Sequence, residues 1–130
     1  MPGPITAEIS PGELIDKITI LEIKLDRIED AEKLVNVQAE LETLAAARDA
    51  AIEPTADLDR LTAGLKAVNE RLWEIEDQIR ACERDKDFGD RFVELARGVY
   101  GNNDERSRLK REINVLLGSR LIEEKSYAAY

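Results

Sequence analysis

The sequence predicts an all-α protein, an antiparallel bundle of four to five coiled-coil-like helices, on three observations. Ala, Leu, Glu, Lys and Arg dominate, with 43% apolar, 36% charged and only 5% aromatic residues, which is the composition of long helices. Leucine, isoleucine and valine recur at alternating spacings of 3 and 4, the seam of a heptad. Prolines and capping residues fall where each seam begins or ends. The 130 residues are the size of one domain, read as 1–130 with an extended arm over 1–9 and a tail over 120–130.

The first helix starts at Ser10-Pro11-Gly12-Glu13, a capping box with proline at the first helical position. Ser10 is expected to accept from the Glu13 amide, and the Glu13 carboxylate to reach back to the Ser10 amide. Leu14, Ile18, Leu21, Leu25 and Ile28 form its seam. The next seam, Leu34, Val37, Leu41 and Leu44, is out of phase with the first, so either a tight turn near 29–33, with Asp30 as a cap, or a bend separates them. Pro54 ends the second segment, since the residue before a proline disfavours helix. Thr55 or Asp57 can cap a third.

That third segment carries the cleanest pattern in the chain: Leu58, Leu61, Leu65, Val68, Leu72, Ile75, Ile79 and Cys82. A helix over 56–86 spans about 45 Å, longer than either earlier helix at about 30 Å, and the overhang asks for a partner. Phe88, Phe92, Leu95 and Val99 begin a fourth helix. Gly101-Asn102-Asn103 is expected to interrupt it, with Asn103 or Asp104 capping a fifth that carries Leu109, Ile113 and Leu116 and closes at Gly118.

Charge removes whole classes of function. There are 19 Lys+Arg, 28 Asp+Glu and no histidine, a formal net charge of −9. Without histidine, the usual zinc enzymes and Ser-His or Cys-His hydrolases are excluded. An acidic surface argues against nucleic acid and anionic membranes as partners. No signal-like start and no apolar run of about 20 residues is evident, and Cys82 is the lone thiol. The expected compartment is the cytoplasm.

Within this frame, two Glu-x-x-Asp pairs, Glu13/Asp16 and Glu74/Asp77, each place two carboxylates on one helix face, a spacing suited to Mg²⁺ and phosphoryl chemistry. On the heptads these four fall on the solvated side. Ile20 and Ile23 lie off the first seam, on the side of Asp16, so the first helix is expected to be buried on two faces, with Arg27 or Lys17 partnering Asp16. Arg106, Arg108, Lys110 and Arg111 form the one basic stretch, either facing the acidic first half of the chain or binding an anion. Trp73 sits off its seam, an interface candidate toward Phe88 and Phe92 or toward a second subunit. Asn36, Asn69 and Asn114, inside helices, are expected to fix register or cap locally.

The stretches GELIDKITILEIKL (12–25), LKAVNERLWEIEDQIRACE (65–83) and KREINVLLGS (110–119) resemble a bacterial family of small proteins catalogued as a domain of unknown function. The resemblance implies no chemistry; it associates such proteins with genes for glycosyltransferases, and so with surface-glycan synthesis. The function expected from all this is a homodimeric interaction or scaffold module without a cofactor. The alternatives are a Mg²⁺-dependent nucleotide pyrophosphohydrolase using Glu13, Asp16, Glu74 and Asp77, or an anion or sugar-nucleotide binder using the basic stretch.

Overall fold

The computed structural model describes residues 2–130. Four helices follow in order: α1 (Pro11–Arg27), α2 (Ala31–Ala51), α3 (Ala56–Arg84) and α4 (Asp90–Leu116), and there is no strand among the described residues. Each boundary has a local cause. Ser10 Oγ accepts from the Glu13 amide, Asp30 Oδ1 from the Glu32 and Lys33 amides, and Thr55 Oγ1 from the Leu58 amide. These bonds satisfy backbone donors that a helix start leaves unpaired. The tight turn is therefore the correct reading between the first two segments.

α3 and α4 close by the same device. The amide of Asp87 donates to Cys82 O and that of Lys86 to Glu83 O, with Lys86 in the left-handed region at φ 54°. After α4, Ser119 donates to Asn114 O and Gly118 to Val115 O, with Gly118 at φ 65°. The expected break at Gly101–Asn103 does not occur, and the described residues form no fifth helix. Asn102, instead of ending the helix, donates its side-chain amide to Gly98 O and accepts from Arg71 Nε, so the polar stretch is tied into α4 and onto α3. The fourth helix also begins later than Phe88, at Asp90.

The helices run up, down, up, down, and α1 is the hub. It packs against α2, α3 and α4, whereas α2 touches α1 and neither of the others. With about 100° between successive residues, the Leu14–Ile18–Leu21–Leu25 seam and the Gly12–Ile15–Thr19–Ile23 stripe lie on opposite sides of α1. Ile15 enters a core with Leu58, Leu61, Leu65, Val68, Leu109 and Ile113 from α3 and α4. The heptad seam is thus left for α2, which offers it Val37. A short helix buried on both sides organises the molecule. Each fully buried Leu or Ile of this core stabilises it by about 1.5–3 kcal/mol.

Arg27, the last residue of α1, pairs with Glu74 of α3. Beyond that level α3 and α4 continue as a bare hairpin, and the α3 seam changes character with it. Leu65 and Val68 are sealed, Leu72, Ile75 and Ile79 are only half-buried, and Cys82 near the closed end of the hairpin is buried again.

Candidate functional site

The α1–α4 contact is polar, and its centre is Asp16. This carboxylate is 1% exposed. Arg106 grips it with both arms of the guanidinium, Nε to Oδ1 at 2.9 Å and Nη2 to Oδ2 at 2.5 Å. From α3, Asn69 Nδ2 donates to Asp16 Oδ1 and to Thr19 Oγ1, both at 2.9 Å, and the Thr19 hydroxyl donates to Asp16 O. Three helices thereby share one satisfied network, and burial makes each member depend on the rest. Asp16 raises the Arg106 pKa further, chiefly through this hydrogen bond.

One turn nearer the start of α1, Lys110 Nζ donates to Glu13 at 2.7 Å and to Glu123 at 3.2 Å. Burial acts to lower the Lys110 pKa, but the bonds to Glu13 and Glu123 and the Asp16 charge outweigh it, and the net direction is up. The Lys110 hydrogen bond holds Glu13 below its usual value. Glu13 is thus spent on Lys110, not on the Ser10 amide, so only half of the expected capping box forms. At the very start of α1 the Gly12 amide donates to Asn114 Oδ1 at 2.7 Å. Here α4 comes so close that a Cβ on Gly12 would stand 2.4 Å from Lys110 O.

The four carboxylates considered for Mg²⁺ are not brought together. Glu13 goes to Lys110, Asp16 to Arg106 and Glu74 to Arg27, while Asp77 lines a groove on α3. Among the described residues no three His, Cys, Asp or Glu side chains converge as metal ligands. Asp16 is partnered by Arg106, not by Arg27 or Lys17, because the side of α1 that carries it faces α4. The basic stretch is divided. Arg106 and Lys110 do face the acidic first helix, whereas Arg108 pairs with Glu105 and Glu112, and Arg111 with Glu124. All four cations already have carboxylate partners.

Trp73 does not pack on Phe88 and Phe92, which instead meet each other edge to face at 5.2 Å. It lies half-buried in a groove of about 370 Å³ where α1, α3 and α4 meet, with Ile20, Ile23, Leu72 and Val99 as apolar walls. Asn69 and Arg106 also line this groove, as do Glu76 and Asp77. Its existence could be suspected from Trp73 and Ile20 lying off their seams. Its composition could not, since it takes residues from three helices.

The tail returns along α4. Arg120 pairs with Glu8 of the arm, and Tyr130 packs on Tyr100 at 5.0 Å with its hydroxyl donating to Asp104.

The family model described as a family of unknown function (DUF6165) matches residues 5–130. The chain belongs to that family. The match covers the arm from residue 5, all four helices and the tail, so the Asp16–Arg106 network and the Trp73 groove both lie within it. No curated protein and no solved structure matches the chain.

Proposed function

We propose that the protein is an interaction module that pairs with a second copy of itself through the free end of the α3–α4 hairpin. The observation that carries this reading is the length mismatch between α1 and its neighbours. α1 has 17 residues and α3 has 29, about 25 Å against about 43 Å. Past Glu74 the hairpin lacks the third helix that seals its other half. Phe88 and Val93 are each 51% exposed there, and Ile75, Ile79 and Phe92 are half-buried.

A second hairpin laid across the first about a two-fold axis supplies the missing cover, as α1 does at the other end. The same stretch mixes both signs of charge, Arg80, Arg84 and Arg91 beside Glu83, Asp85 and Asp90, so the face can be complementary to itself. The unpaired Cys82 fits a cytoplasmic setting for such a module.

Light scattering at micromolar concentration tests the reading. The expected mass is twice 14.6 kDa, falling to one chain in the double variant Phe88→Ser, Val93→Ser with its helix content unchanged. A wild-type monomer at every accessible concentration, or a double variant that stays dimeric, overturns it.

A further inference from the structure

We propose that the groove beside Trp73 is a binding site for a primary ammonium group carried on an apolar stem. Its shape comes first. On α3 its lining runs from Asn69 to Asp77, and on α4 from Val99 to Arg106, so the groove extends about 10–12 Å along the helices. Its middle is apolar, formed by Ile20, Ile23, Leu72 and Val99 with the indole of Trp73. A stem of four to six carbons fits that length.

The sign of the ligand follows from which charges are already spent. At one end Arg106 is neutralised by both oxygens of Asp16. At the other, Glu76 accepts from Arg80 at 2.9 Å. Asp77 is left as the lining carboxylate with no counter-ion among the described residues, so the groove carries net negative charge. The −9 of the whole chain adds to the same field. An anion is repelled at this end, and a neutral alkyl chain leaves Asp77 unused. An ammonium group meets Asp77 and can also lie over the Trp73 ring, the side chain with the strongest cation–π attraction. At the far end the remaining N–H groups of Arg106, which is 30% exposed, and the Asn103 amide can donate to an acceptor on the stem. Two sources share this chemistry: a small free amine, and a lysine side chain offered by a peptide.

Trp73 is the one tryptophan, so its emission reports on the groove alone. The probes are n-pentylamine, N-acetyl-lysine methylamide and the uncharged n-pentanol, each titrated at constant ionic strength and neutral pH. Pentylamine is expected to shift the emission saturably, and pentanol to need at least about tenfold more, the equivalent of 1.4 kcal/mol. A lysine amide as good as or better than pentylamine identifies the peptide source, and a weaker one the free amine. Asp77→Asn, an exposed position outside the buried network, should weaken pentylamine about five- to tenfold. Asn103→Lys, which places a cation in the groove, should abolish the shift. Equal response to pentanol, an unchanged affinity in Asp77→Asn, or no saturation with either amine overturns the proposal.

Discussion

Arg106 clamps both carboxylate oxygens of Asp16 across 90 residues of sequence, and Asn69 completes the clamp from a third helix. A carboxylate that is 1% exposed survives only because every one of its partners is in place. Removing one member leaves a buried charge or donor without its complement. Removing both sides together leaves no unpaired charge, and only one N–H of Asn69 without its acceptor.

Arg106→Met should therefore destabilise the fold by about 3–5 kcal/mol, while Asp16→Leu with Arg106→Met together should cost clearly less than the two single changes added. Urea unfolding of the four species measures this coupling. Strict additivity would show that the pair contributes nothing as a pair.

The two glycines Gly12 and Gly101 should respond to alanine in opposite directions. At Gly12 the new Cβ meets the Lys110 carbonyl at 2.4 Å and pushes α1 off α4, costing about 1–3 kcal/mol. At Gly101, inside α4, nothing lies within 4 Å, and alanine should stabilise by about 0.5–1 kcal/mol through its better helix propensity. Thermal melting of both variants separates the cases. A Gly12→Ala protein as stable as its parent would contradict the close approach.

Acid should weaken the Glu13–Lys110 contact. Because Lys110 holds the Glu13 pKa below 4.5, the folded state binds fewer protons than the unfolded one around that value. The stability it contributes is complete above pH 4.5 and is lost as pH falls through the lowered folded value. Glu13→Gln should cost roughly 1.5–3 kcal/mol at neutral pH, as a charged hydrogen bond, and the difference from wild type should shrink as pH falls below 4.5 and through the lowered folded value. A gap that stays constant down to pH 3 would mean that Glu13 is not held by charge.

Truncations on α3 should divide by face. Leu65→Ala removes a side chain that is 0% exposed and should cost about 2–5 kcal/mol. Glu74→Ala loses only its exposed pairing with Arg27, about 0.5 kcal/mol. Chemical denaturation of both variants checks the heptad phase, and similar losses would refute it.

Periodicity and capping are local, and the amino-acid sequence located most of them, leaving open only Thr55 against Asp57 as a cap and a turn against a bend at Asp30. Ser10, Asp30 and Thr55 start helices, Gly118 ends one, and the unbroken 3–4 spacing from Leu58 to Cys82 defines a helix, because each depends on neighbours within a turn or two. Even the double burial of α1 could be read, since apolar residues on two sides of one helix require two covers. Gly101–Asn103 misled because a break signal is also only local. Asn102 is held in α4 by Arg71, a residue of another helix. Which helix covers which side of α1, that Asp16 belongs to Arg106 and not to Arg27, and that Trp73 faces a groove were all decided by packing. Each of these joins residues tens of positions apart, and a heptad pattern says how deeply a side chain is buried without saying against what. Only the assembled fold, where α1 lies between α2 and the α3–α4 hairpin, selects one partner for each buried charge, because a charge sealed from water must find its counter-ion on the elements packed around it.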